Sequence, residues 1–206
     1  MKILITGCAG FIGSTLANKL SETYEIIGID NMNDYYDTSQ KEYNLKKLKN
    51  LKNFSFFKSD IRDTKIISDT KPDIIIHLAS MAGVRYSDEN PTLYADVNIK
   101  GHLHLLQECV KNKISKFIYA SSSSVYGLNT KIPFCENDPV NLQNSVYACT
   151  KKCMEDIAAT YYRLHNIKSI GLRFFTVYGP SGRPDMAPYI FLNSILTNKE
   201  FNKYGD

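Results

Sequence analysis

The stretch Lys2–Gly13, KILITGCAGFIG, decides how the rest of the chain is read. An apolar run ends at Thr6, glycines follow at Gly7, Gly10 and Gly13, and a helical pattern begins at Phe11. That order is strand, tight turn, helix. Glycines permit the turn and let backbone N–H groups approach a pyrophosphate, and the helix N-terminus adds unpaired donors and a partial positive charge. A glycine trio alone is a weak signal with a plain structural turn as its alternative; between a strand and a helix it stands in the context a phosphate-binding loop requires.

Working outward, short apolar runs alternate with helical patterns. Lys2–Thr6, Glu25–Asp30, Phe54–Lys58, Asp73–Leu78, Lys116–Ala120 and Ser169–Arg173 read as strands, several apolar throughout rather than alternating, as in a parallel sheet covered on both faces. Helices are expected at Phe11–Ser21, Ser39–Asn50, Thr64–Thr70, Tyr94–Asn112, Tyr147–Asn166 and about Met186–Asn198. The fold class that follows is α/β: a Rossmann-like, doubly wound parallel sheet with flanking helices. Residues 1–173 are expected to form a dinucleotide-binding unit, and residues 174–206 to begin a further region. The closing FNKYGD has turn character.

Composition excludes several classes. The chain has 206 residues, 43% hydrophobic and 22% charged, with a net charge of +4, ordinary for a globular protein. The one basic concentration, Lys41–Lys52, carries Leu45, Leu48 and Leu51 between its lysines and reads as a solvated helix face with a narrow apolar stripe, not a nucleic-acid site. No run approaches the roughly 18 apolar residues that span a membrane, and the N-terminus lacks the apolar core of a signal peptide. Cys8, Cys109, Cys135, Cys149 and Cys153 form no C-x-x-C pair. Buried or half-buried reduced thiols are expected, with no metal site, in a cytoplasmic compartment.

Asp30 ends the second strand. A carboxylate there can accept hydrogen bonds from the adenosine ribose hydroxyls and would repel a 2′-phosphate, which favours NAD over NADP. Asp60-Ile61, after the third strand, is placed to meet the adenine, a solvated strand-end carboxylate being the alternative. Further on, Tyr147 and Lys151 make Y-x-x-x-K at the start of a helix, about one turn apart and so on one face. A tyrosine acting as base near neutral pH needs its pKa of ~10 lowered by roughly 3 units, about 4 kcal/mol, which a nearby ammonium and a positive nicotinamide both favour. Ser121–Ser124 follow the fifth strand at the sheet edge where ligands bind, so a hydroxyl there can share a hydrogen bond with Tyr147 and a substrate oxygen. Alone, each of these motifs is also a common structural feature.

Together, in this order, the motifs make the chain resemble the extended short-chain dehydrogenase/reductases, and among them the NAD-dependent nucleotide-sugar 4-epimerases. Gly28–Asp37 (GIDNMNDYYD), Ala82–Pro91 (AGVRYSDENP), Tyr119–Gly127 (YASSSSVYG) and Leu172–Ala187 (LRFFTVYGPSGRPDMA) are most similar to UDP-glucuronate 4-epimerases. The resemblance implies that Tyr147 is the base, Lys151 its pKa-lowering partner and a ligand of the nicotinamide ribose, and Ser122 the catalytic hydroxyl. It implies cofactor contacts from Gly7, Gly10, Phe11, Ile12 and Gly13, from Asp30 and Asn31, from Asp60 and Ile61, from Leu78, Ala79 and Ser80, and from Asn98 and Phe175. Ser122, Ser123 and Thr176 would meet the nucleotide sugar. Arg85 and Arg183 are candidates for its phosphate or carboxylate, with surface ion pairs as the alternative for either.

The implied chemistry is removal of the sugar 4-hydroxyl proton by Tyr147 with hydride transfer from C4 to NAD⁺, turning of the 4-keto sugar, and return of hydride to its other face. The 4,6-dehydratases of this family carry Asp-Glu after the catalytic Thr; here Ser123 and Ser124 stand there, which ranks epimerase above dehydratase or reductase. Full members of the family continue for about a further third of their length, supplying a last strand and most of the uridine diphosphate pocket. In a chain lacking that part, apolar surface meant for it is expected to be exposed or buried in a dimer, and the reading as a non-catalytic NAD-binding module stays open. The family's habit of dimerising implies a homodimer through the Tyr94–Asn112 and Tyr147–Asn166 helices.

Overall fold

A computed structural model of the protein describes residues 1–201, and the last residues of the FNKYGD ending lie outside that range. Six strands, β1 (Lys2–Thr6), β2 (Glu25–Asp30), β3 (Phe54–Lys58), β4 (Ile74–His77), β5 (Lys116–Ser122) and β6 (Lys168–Phe174), form one sheet in the order β3-β2-β1-β4-β5-β6. Every neighbouring pair is parallel. The chain winds outward from β1 in one direction, then returns to β4 and winds in the other. A crevice therefore opens between β1 and β4 at their C-terminal ends, where ligands bind in such sheets.

The helices are α1 (Phe11–Leu20), α2 (Ser39–Lys49), α3 (Ile66–Thr70), α4 (Val84–Glu89), α5 (Pro91–Tyr94), α6 (Gly101–Lys111), α7 (Val146–His165) and α8 (Ala187–Thr197). Because side chains alternate along a strand, β1 feeds two cores at once. Ile3 and Ile5 join Ile26, Ala17, Leu45 and Leu48 on the α1–α2 face, while Leu4 joins Ile27, Ile75, Leu105, Phe117 and Met154 on the other. Each such side chain fully buried contributes roughly 1.5–3 kcal/mol.

The helix expected from Tyr94 to Asn112 is interrupted. It runs as α5, then a wide π turn over Ala95–Lys100, then α6. The π turn carries the fully buried Asn98, whose amide bonds Met81 on the β4 loop and Thr150 on α7. Such π turns inside helices are frequent at functional sites. The short α4 was not expected, since its sequence VRYSDE is too short to show a period. It matters because Ser87 Oγ accepts from the Tyr147 amide at 3.0 Å and Asp88 from the Val146 amide at 3.3 Å, capping α7 from outside. Ser145 supplies the N-cap itself, accepting from the Ala148 amide at 3.1 Å, and Asn166 ends the helix in the left-handed conformation.

The two edge strands are thinly covered. On β6, Ile170 is 58% exposed, and on α8 Ile195 and Leu196 are 70% and 76% exposed, so apolar surface stands open on this side as the sequence led us to expect. Two expectations about exposure need correction. Cys135 and Cys149 are exposed, not buried or half-buried, because they lie on a loop and on the outer face of α7. Lys41 is buried rather than solvated: its ammonium donates to the Asn33 carbonyl at 2.7 Å and the Asn33 side-chain oxygen at 2.8 Å. No helix among the described residues is long and apolar enough to cross a membrane.

Candidate active site

A cavity of about 760 Å³ runs along the C-terminal ends of the strands. Its floor begins at the glycine turn. Gly7 adopts φ +71°, and a Cβ there would lie 2.8 Å from the Ala79 amide nitrogen of the β4 loop; a Cβ on Gly13 would lie 2.1 Å from the Gly7 carbonyl. The glycines thus let α1 dock tightly against two loops. The first intrahelical bond at this end of α1 runs from the Ser14 amide to Gly10 at 2.9 Å, and no side chain caps the helix. The amides of Phe11, Ile12 and Gly13 precede that bond, the arrangement by which a helix N-terminus can hold an anion.

Asp30 closes this end of the cavity. Its carboxylate accepts from the Ala9 amide at 3.1 Å and the Met32 amide at 2.9 Å, which fixes its orientation and leaves lone pairs for a diol. Lys41 lies beside it among the lining residues. Asn31 donates to Asp60 at 2.9 Å, and Arg62 grips the same carboxylate through its Nε at 2.8 Å and Nη2 at 2.9 Å. The Arg62 bonds hold Asp60 down to about 2. Asp60 is therefore an ion-paired wall of the cavity rather than a solvated strand end.

At the other end stand Ser122, Tyr147 and Lys151. Ser122 closes β5; Tyr147 and Lys151 lie one turn apart on α7. Burial pushes the Tyr147 phenol up, and the neighbouring Ser122 hydroxyl and the Arg183 charge pull the other way; the Ser122 hydroxyl itself donates to Ser124 Oγ at 3.1 Å and accepts from the Ser124 amide at 3.2 Å. The Lys151 ammonium, 5.8 Å from the Tyr147 ring centre, donates to the Ala120 carbonyl at 2.8 Å. Burial pushes it down to about 7. A phenol, a hydroxyl and an adjustable ammonium on rigid elements make a proton-transfer site of the kind that tuned acids and bases serve.

The residues expected at the site converge on this cavity with one exception. Gly7, Gly10, Phe11, Ile12, Gly13, Asp30, Asn31, Asp60, Ile61, Leu78, Ala79, Ser80, Ser122, Ser123, Tyr147, Lys151, Phe175, Thr176, Arg85 and Arg183 all line it. Asn98 does not: it lies one layer behind, accepting from the Met81 amide at 2.8 Å and donating to Thr150 at 3.1 Å. Arg183 is engaged by Asp185, to which its Nε donates at 2.9 Å, and the Tyr35 hydroxyl donates to the same carboxylate at 3.3 Å. Tyr35, Lys41 and Asp185 are lining residues that sequence reading missed. For Lys41 a signal existed: it shares a helix face with Leu45 and Leu48, which points it inward.

Sheet order, glycine turn and Tyr–Lys–Ser group together define a dinucleotide-binding α/β protein with an acid–base site. The chain belongs to the NAD-dependent epimerase/dehydratase family, whose model matches residues 3–206. It is 49% identical over its whole length to Protein CapI of Staphylococcus aureus, of which it spans 63%, and 45% identical over 97% of its length to UDP-glucuronate 4-epimerase 4 of Arabidopsis thaliana, of which it spans 47%. Among solved structures it matches the UDP-glucuronic acid 4-epimerase of Bacillus cereus, crystallised with UDP-glucuronic acid and NAD. There the TM-score is 0.93 and the identity 36%, over all of this chain and 66% of that one. The chain thus spans about half to two thirds of the length of these relatives.

Proposed function

We propose that this chain is the cofactor-binding and catalytic part of an NAD-dependent nucleotide-sugar 4-epimerase that interconverts UDP-glucuronate and UDP-galacturonate. The observation that carries the reading is the pairing, across one cavity, of the uncapped α1 terminus and Asp30 with Tyr147, Ser122 and Lys151. These groups fit NAD: the amides of Phe11, Ile12 and Gly13 would donate to its pyrophosphate, the Asp30 carboxylate would accept from its adenosine ribose with Asn31 beside it, and Lys151 would hold its nicotinamide ribose. Ile61, Leu78, Ala79, Ser80 and Phe175 wall the rings, and Asn98 serves by holding the β4 loop. When bound, NAD supplies a reversible hydride acceptor for the sugar C4.

Tyr147 takes the proton from the 4-hydroxyl and later returns it, so the residue ends the cycle as it began. Ser122 holds that oxygen through its own hydroxyl. Ser123, Thr176, Arg85 and Arg183 meet the sugar and its anionic groups. Ser123 and Ser124 carry no acid able to move a carbon-bound proton at neutral pH, which supports epimerisation over dehydration. The relatives named above support the glucuronate choice. A second reading, a cofactor-binding module without turnover, draws on the open apolar surface of β6 and α8 and on the relatives' greater length.

Two experiments test the proposal. Calorimetry should give NAD at least about tenfold tighter than NADP, a preference that Asp30→Ala abolishes; equal affinities in the wild type contradict the cofactor assignment. Adding UDP-glucuronate to the NAD-loaded protein should generate the absorbance of reduced nicotinamide transiently, and not in Tyr147→Phe. No reduction in a protein that binds both ligands contradicts the epimerase reading.

A further inference from the structure

Behind the Tyr147–Ser122 contact lies a polar junction that the proposed chemistry does not use. Glu155 lies one turn beyond Lys151 on α7, so Tyr147, Lys151 and Glu155 succeed one another along one side of the helix. Its Oε1 accepts from the Ser121 hydroxyl at 2.5 Å and from Arg173 Nε at 2.9 Å, and its Oε2 accepts from Arg173 Nη2 at 2.9 Å. Both side chains of the ion pair are largely buried, Glu155 at 15% and Arg173 at 18% exposure. Ser121 stands opposite Arg173 in the β5–β6 register, and the next residue on β5 is Ser122. One carboxylate therefore ties together α7, the serine end of β5 and the parallel end of β6.

The junction reaches the cavity wall as well. Arg173 Nη1 donates to the Glu136 carbonyl at 3.1 Å, and its guanidinium lies 5.0 Å from the Tyr126 ring centre. Tyr126 stacks on Phe134 at 4.5 Å, and Phe134 lies 6.3 Å from Phe175, a lining residue. A bidentate, desolvated carboxylate–guanidinium pair resists deformation more than a surface pair would, and removing one partner leaves the other charge stranded.

From this geometry we infer that Glu155 is a positioning residue: through Ser121 and Arg173 it sets the distance between Ser122 and Tyr147. The inference rests on the reading of Tyr147 and Ser122 as the proton-transfer pair. It differs from a purely structural role in what it does to the phenol. Tyr147 is faced by Ser122, by Lys151 on its own helix, by Arg183 from the loop after β6, and edge-on by Tyr94. If Glu155 acted only through its charge, neutralising it would ease ionisation of the phenol. If it holds Ser122 in place, neutralising it loosens the hydroxyl that favours the phenolate, and ionisation becomes harder. The two roles have opposite signs.

The test replaces Tyr147 by a difluorotyrosine, whose phenol ionises close to neutral pH, and follows its fluorine resonance against pH in the full chain without sugar. With Glu155→Gln, which keeps the shape and removes the charge, the midpoint should rise by roughly half to one pH unit. An unchanged or lowered midpoint overturns the inference. Should Glu155→Gln fail to fold, Ser121→Ala cuts only the tie to β5 and should raise the midpoint in the same direction, by less; no rise there overturns the inference equally. Because no sugar is present, the result is independent of whether the protein turns over UDP-glucuronate, which the reduced-nicotinamide measurement decides separately.

Discussion

Lys151 shows how function and stability pull apart at one side chain. A fully buried ammonium with a single carbonyl partner costs stability, and its pKa falls from 10.5 to about 7. The sign follows from proton counts. Between about pH 7 and 10 the unfolded chain holds this proton and the folded one does not, so stability rises with pH across that window and the full cost is present below it. Lys151→Met should therefore melt at a higher temperature than wild type near pH 7, and the gap should close as pH approaches 10. A melt in which Lys151→Met is less stable at every pH would contradict the assignment of Lys151 as a costly functional group. Tyr147 and Lys151 were legible in the sequence by type and spacing, and Ser122 through the family resemblance; folding brings the three to one cavity. Asp185 and Tyr35 were not, since a contact between residues so far apart along the chain exists only after folding.

Among the elements, the strands and long helices followed from hydrophobic period, and the observed bounds agree with the expected ones to within about two residues. What escaped was the break in the helix expected from Tyr94. A π turn leaves no mark on an apolar period, and the contacts it serves are tertiary: Asn98 bonds both the amide and the carbonyl of Met81. Asn98→Ala leaves the Met81 amide unpaired in the core, while the Met81 carbonyl keeps the Ser80 hydroxyl at 2.9 Å, and should destabilise the protein by about 1–3 kcal/mol in urea unfolding. NAD affinity should also fall, although Asn98 does not line the cavity. A variant with wild-type stability would show that the β4 loop is held by other means. Likewise Gly13→Ala, whose Cβ would meet the Gly7 carbonyl at 2.1 Å, should weaken NAD binding by displacing α1 from the turn; unchanged affinity would contradict the role given to that helix terminus.

For the molecule as a whole, one doubly wound sheet accounts for both the placement of the cavity and the surface left open beside it. The strand order was legible in kind, because near-continuous apolar strands alternating with helices admit little else. The reach of the substrate pocket was not, since α8 shows an apolar face that the described residues leave uncovered. Ile195 and Leu196 on that face contact little, so Ile195→Lys and Leu196→Lys should change stability by less than about 0.5 kcal/mol while raising solubility. A large loss of stability would mean that α8 is packed more tightly than its exposure indicates. The decisive experiment is incubation of the chain with NAD⁺ and UDP-glucuronate, with UDP-galacturonate followed by chromatography. The account predicts product from the wild type and none from Tyr147→Phe. No product from a wild-type protein that calorimetry shows to bind both NAD and UDP-glucuronate would contradict it.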